Sequence, residues 1–153
     1  DNFRLETAVT FTNGARSNVA APEANFDLRV REGSKGYSLT FFTSASPTNP
    51  NRIILRRTSD WTQIGSFNQL VGGAGINNGS KFLVTVIADG PTLRYIVRRS
   101  TDPTPVLDWT VNDTQHVTGY IRAMTYNMAE ARLDYLAVGG PDWQPASNSM
   151  RVY

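Results

Sequence analysis

The sequence predicts an all-β chain folded as a two-sheet antiparallel β-sandwich. Apolar residues recur at every second position through about ten short runs, the period at which side chains of a strand return to one face. Clusters of Gly, Pro, Asn, Asp and Ser punctuate those runs at roughly 8–12-residue intervals, the rhythm of sandwiches and barrels. No stretch of helical length carries apolar residues at three-four spacing.

The pattern is clearest from Lys81 to Arg99. Phe82, Val84, Val86 and Ala88 fall on one face of a first strand; Leu93, Tyr95, Val97 and Arg99 fall on one face of a second. Asp89-Gly90-Pro91 is the turn between them, because Gly90 tolerates a positive φ and Pro91 cannot continue a ladder.

The other strands follow in order. From Phe3 to Phe11, Phe3, Leu5, Val9 and Phe11 point one way, while Arg4, Glu6 and Thr10 point the other, as in a sheet with one wet face. Asn13-Gly14 ends this strand, and residues 15–25 read as a loop. Phe26, Leu28 and Val30 alternate with Asp27, Arg29 and Arg31. A hairpin connection at 32–36 leads to a strand from Tyr37 to Thr43, with Tyr37, Leu39 and Phe41 on one side. After a proline-bearing loop, Arg52 to Arg57 and Trp61 to Gly65 are two more strands. Residues 66–80 form the longest irregular piece. Their glycines do not make a phosphate cradle, which needs a following helix and either a Lys-Ser/Thr pair or dinucleotide spacing. A surface loop bordering a site is the expectation there. Beyond the central hairpin, Val106–Val111, Gly119–Tyr126 and Ala131–Val138 complete the strands. Residues 1–140 form the sandwich domain. The tail 141–153, with Trp143, Met150 and Tyr153, is expected to pack on the domain or on a neighbour.

Composition narrows the functional classes. A chain of 153 residues is one domain, long enough to bury a core without staples. Cys is absent, which excludes disulfides and thiolate metal sites. No apolar run approaches the ~20 residues of a membrane helix. The start at Asp1, with no signal-like segment, reads as a mature product or an excised domain. The net charge is +2, too small a basic excess for a nucleic-acid binder. Of the 15 basic residues, 13 are Arg, whose planar fork suits carboxylate, sulfate, phosphate or sugar hydroxyls.

The order of strands also carries a resemblance. An opening Phe-Arg-Leu-Glu-Thr-Ala-Val-Thr-Phe is followed by Phe-Asp-Leu-Arg-Val-Arg-Glu-Gly, Gly-Tyr-Ser-Leu and Ile-Ile-Leu-Arg-Arg. Then come Phe-Leu-Val-Thr-Val-Ile-Ala-Asp-Gly-Pro-Thr-Leu-Arg-Tyr-Ile-Val and a closing Ala-Arg-Leu-Asp-Tyr-Leu-Ala-Val. This order, from Asn2 to Gly139, resembles the concanavalin A-like lectin/glucanase superfamily, including laminin G-like domains and levan-type carbohydrate-binding modules. The resemblance implies a jelly roll and a polysaccharide or glycan partner. It also implies an extracellular or surface-associated setting. The Glu-x-Asp-x-x-Glu strand of the glucanase branch is missing, no carboxylate pair stands out for glycosidic hydrolysis, and binding without catalysis is the expectation. The alternative is a structural sandwich of a phage fibre, capsid decoration or surface filament, used for assembly as part of a larger modular protein or as a homo-oligomer.

Sugar recognition places aromatic faces against the apolar side of a ring and polar groups on its hydroxyls. Trp61, Tyr37, Trp109, Tyr126 and Trp143 are aromatic candidates, Trp109 leaning to the core, and Asn127 and Glu130 flank Tyr126. Arg56 and Arg98 would form a basic stripe for an acidic polysaccharide if their strands share a sheet. Glu6 and Asp134, on first and last strands that should be neighbours, are the weak candidates for a structural Ca²⁺, with pairing to Arg4 and Arg132 the simpler account. No other cofactor is implied. The lone His116 reads as a solvated loop residue.

Overall fold

The structure is a computed structural model that describes residues 2–13, 23–46, 49–67, 76, 79–126 and 130–143. Ten strands run in chain order: β1 (Phe3–Asn13), β2 (Glu23–Arg31), β3 (Lys35–Ser46), β4 (Asn49–Arg57), β5 (Thr62–Phe67), β6 (Lys81–Asp89), β7 (Thr92–Arg99), β8 (Pro105–Asn112), β9 (Tyr120–Tyr126) and β10 (Glu130–Gly139). A three-residue 3-10 turn, Glu32–Ser34, joins β2 to β3. The first sheet has the order β10-β1-β6-β7-β8 and the second β5-β4-β3-β2-β9. Neighbours in both sheets are antiparallel. The predicted sandwich is therefore present. β2 and β3 extend further into polar sequence than apolar alternation implies, because backbone pairing, not side-chain apolarity, sets where a strand ends.

The core lies between the sheets and is built from the alternating positions. Leu5, Val9, Phe11, Phe82, Val84, Val86, Leu93, Tyr95 and Val97 face it from the first sheet. Phe26, Leu28, Tyr37, Leu39, Phe41, Ile53 and Leu55 face it from the second. Phe11, Phe41 and Phe82 meet with centroids 5.6–6.0 Å apart, so one aromatic cluster bridges the two layers. Burying each large apolar side chain contributes about 1.5–3 kcal/mol. In the β6–β7 hairpin, Asp89 pairs with Thr92 and leaves Gly90-Pro91 as a two-residue loop. Gly90 has φ +52°, as a loop with glycine in first place requires. Ile76, from the segment expected to be a surface loop, is fully buried in the core.

One flank of the sandwich is closed and the other open. On the closed flank Trp109 of β8 rests on Gly65 of β5, where a Cβ would lie 3.0 Å from the indole. On the open flank the β9 and β10 edges border a cleft of about 270 Å³ lined by Val9, Phe26, Ala123, Met124, Ala131 and Leu133. Leu136 and Val138 of β10 are exposed there (54% and 53%).

Period-two reading fails at Arg29. Alternation places it on a wet face, yet it is fully buried with φ +52°. The β2 register breaks after Leu28 against β3 and after Asp27 against β9, so the strand bulges and turns the arginine inward. The bulge lies tight against two glycines. A Cβ on Gly36 would sit 2.6 Å from the Leu28 carbonyl oxygen, and one on Gly119 would sit 2.3 Å from the Arg29 carbonyl carbon. Beside the bulge, the connection from β8 to β9 crosses from one sheet to the other. His116 on that crossing is buried (7% exposed), not solvated, with its ring edge-on to Tyr37 at 5.6 Å. Arg29 Nη1 donates to the His116 carbonyl at 3.3 Å.

Candidate ligand-binding face

A sheet of a sandwich has an inner face for the core and an outer face for everything else. On the second sheet, register fixes the outer face row by row. Across the first row Arg56 opposes Ser38, Ser38 opposes Asp27, and Asp27 opposes Arg122. Across the second, Ile54 opposes Thr40, Thr40 opposes Asn25, and Asn25 opposes Met124. In the third, Arg52 opposes Phe42. These residues alternate with the core positions Tyr37, Leu39, Phe41, Ile53 and Leu55, and none belongs to the core cluster.

The chemistry of this face is mixed. Phe42 lies between two guanidiniums, with Arg52 Cζ 4.6 Å and Arg56 Cζ 5.0 Å from its ring centroid. Ile54, between those arginines on β4, is almost fully buried. Ser38 and Thr40 face each other with hydroxyl oxygens 3.2 Å apart. Arg122 donates to Asp27 Oδ2 through Nη2 at 2.6 Å and Nε at 3.0 Å. Two polar atoms stay unanswered: Asn25 Oδ1 and Arg52 Nε are buried without a hydrogen-bond partner. Neither Arg52 nor Arg56 has a carboxylate partner among the described residues.

On the outer face of the first sheet most described charges are paired, with Arg98 the exception. Arg4 holds Glu6 at 2.7 Å, Arg94 grips Asp108 through Nε and Nη2 at 2.9 and 2.8 Å, and Lys81 reaches Asp134 at 2.7 Å. The Arg94 guanidinium holds the Asp108 carboxyl below the usual carboxylate range. Asp134 also accepts from Thr10 and Arg132, at 2.8 Å each. Burial pushes its carboxyl up, and those donors with Lys81 outweigh burial and hold it low.

The sequence-derived candidates separate on this frame. Arg56 is on the second sheet and Arg98 on the first, so the basic stripe joining them does not form. Arg98 instead borders a shallow depression with Leu83, Arg99 and Ser100, its Nε buried without a partner. Tyr37 is fully buried in the core and offers no face to a ligand. Its hydroxyl donates to Asp113 Oδ1 at 2.8 Å and accepts from His116 N at 3.3 Å. Burial, with the Asp113 hydrogen bond, pushes that phenol up to about 12. Trp109 packs against the core and Trp143 against Gly139. Trp61 stands out in the β4–β5 turn, 66% exposed and at φ +56°, a rare conformation for a bulky residue. Tyr126 ends β9 on the second sheet, opposite Glu23, and Glu130 opens β10 on the first, opposite Asn13; both are described as backbone only. Asn127 lies outside the described residues. Glu6 and Asp134 do lie on neighbouring strands, but each is held by cations: Arg4 is two residues from Glu6 on the same strand, and Lys81 reaches Asp134 from β6. Among the described residues no three His, Asp or Glu side chains group as metal ligands. No described helix is long and apolar enough to cross a membrane.

No family model matches the chain, and no curated protein matches it. Solved structures do. An alginate lyase from Klebsiella pneumoniae aligns with TM-score 0.64 and 14% identity over 91% of this chain and 60% of its own. A xylan β-1,4-xylosidase from Bacillus halodurans aligns with TM-score 0.60 and 10% identity over 90% of this chain and 27% of its own. Congerin II with lactose and MES aligns with TM-score 0.55 and 14% identity over 90% of both chains. The chain thus spans about 60% and 27% of the two larger structures and about 90% of congerin II. At these identities the likeness is one of fold alone: the chain shares the two-sheet antiparallel jelly-roll sandwich of these structures, and no family model for laminin G-like or levan-type modules matches it.

Proposed function

We propose that this domain binds carbohydrate without turning it over, through the outer face of its second sheet. The observation that carries the reading is the pair of half-buried guanidiniums, Arg52 and Arg56, that meet Phe42 on this face with no carboxylate partner among the described residues, beside the unanswered Asn25 Oδ1 and Arg52 Nε. On the first sheet most described charges are paired, Arg98 excepted. Unpaired buried polar atoms cost about 1–3 kcal/mol each, and a ligand offering hydroxyls relieves that cost. Trp61 supports the reading from the end of the face, where its ring is presented to solvent at backbone strain. The same fold in a lactose-bound congerin II and a galactose-bound lectin UEA-II agrees at the level of architecture. An extracellular or surface setting belongs to this proposal.

A glycan array probed with the isolated chain tests it. The expected result is a hit that is lost in Asn25→Ala and in Trp61→Ala while circular dichroism stays unchanged. Retention of every hit in both variants contradicts the face assignment.

A second reading, assembly with a second copy of the chain, is favoured by one observation. β10 is an edge strand that exposes Leu136 and Val138. Sedimentation separates the readings: a concentration-dependent dimer abolished by Val138→Lys supports assembly, and a monomer at all concentrations contradicts it.

A further inference from the structure

We infer that the ligand of this face is an acidic polysaccharide, whose uronate carboxylates are received by Arg52 and Arg56. The inference rests on the binding face proposed above and names its substrate class.

Among the described residues, Arg4, Arg57, Arg94, Arg122 and Arg132 each hold a carboxylate at 2.6–2.8 Å. Arg52 and Arg56 instead rest against one phenyl ring, and Asp27, in the row of Arg56, is taken by Arg122. A ring binds a cation far more weakly than a carboxylate does, so both guanidiniums keep capacity for an anion. Their positions reinforce one another. They are four residues apart on one face of β4, each two residues from Ile54, and both lie within 5.0 Å of the same centroid. Phe42 itself is buried (2% exposed), so an anion reaches the two half-buried guanidiniums and not the ring.

Beside the arginines, Asn25 is half-buried two strands from Ile54 and offers its amide to a sugar hydroxyl, while the Ser38 and Thr40 hydroxyls between them are buried and bonded to each other. Arg52 Nε, buried with no acceptor, is the donor that a carboxylate completes when it binds the Nε–Nη edge of the fork.

The test uses the intact chain and immobilised polymannuronate, polyguluronate, polyglucuronate and polygalacturonate, each beside its carboxyl-reduced neutral form. At least one acidic polymer should bind, and its reduced form should bind about tenfold or more weakly. Arg52→Gln and Arg56→Gln should each weaken the acidic polymer about tenfold. Arg94→Gln, which removes the same charge from the other sheet, should leave it unchanged. Binding to the acidic form should also fall as salt is raised. Equal affinity for acidic and reduced forms, or equal losses in all three variants, overturns the inference. If only neutral glycans bind, and Asn25→Ala abolishes that binding, the inference fails while the binding face stands. If no glycan binds at all, both fail.

Discussion

The Tyr37 hydroxyl donates to Asp113 Oδ1 across 2.8 Å, tying the start of β3 to the crossing that carries the chain from the first sheet to the second. The same carboxylate takes Arg57 Nη1 at 2.7 Å and Gln115 N at 2.8 Å. Burial pushes the Asp113 carboxyl up, but these three donors outweigh it and hold it below its ordinary range. A core aromatic thus closes one end of the sandwich with its polar tip. Tyr37→Phe should cost about 1–3 kcal/mol, because Asp113 and the His116 amide each lose a partner in a partly dry site. Urea denaturation reads this as a lower midpoint, with glycan affinity unaltered.

His116 makes the same end of the fold sensitive to acid. Burial holds its ring below the ordinary histidine value of about 6.5, and although Asp113 favours the charged form, Arg57, Arg31 and Lys35 oppose it, with Arg29 bonded to its carbonyl. A histidine whose folded pKa is depressed takes up a proton more readily when unfolded. Stability is therefore complete above about 6.5 and is lost as pH falls from there through the folded pKa. Urea midpoints measured between pH 7 and 5 should decline, and the decline should shrink in His116→Gln.

Gly119 sets how closely the crossing approaches the β2 bulge. Its φ is +149°, and a Cβ there would lie within 2.3–2.6 Å of Arg29 and Val30 backbone atoms. Gly119→Ala should destabilise by about 3 kcal/mol or more, since neither backbone can yield without displacing buried Arg29. Thermal unfolding should show this loss, while alanine at solvent-facing Gly140 should not.

Trp61 should trade stability for binding. A tryptophan at φ +56° pays the left-handed steric cost of about 1–2 kcal/mol, which glycine avoids at an entropic cost of about 0.5–1 kcal/mol. Trp61→Gly should leave the melting temperature unchanged or raise it, and should weaken glycan binding.

The fold was legible because its signal is local. Alternation along β1, β6 and β7 needs no knowledge of neighbours, and all ten runs became strands. The site was less legible because it depends on which strands meet. Ser38, Thr40 and Phe42 alternate with Tyr37, Leu39 and Phe41 in plain view, yet only register across β2, β3 and β4 assembles them with Asn25 and Arg52 into one surface. The same gap misled the reading of Arg98, whose strand lies in the other sheet. Tyr37 shows a further limit: aromatic character marks sugar stacking and core packing alike, and only burial tells them apart. Arg29 escaped because a bulge turns it inward while Val30 stays buried and Arg31 exposed, and nothing in the local alternation announces one.

Backbone amide chemical-shift mapping with a bound polyuronate oligomer tests the central claim most directly. The account predicts shifts concentrated on residues 23–27, 38–42, 52–56 and 122–126, across the outer face of the second sheet. Shifts concentrated on β6, β7 and β10 of the first sheet would contradict it.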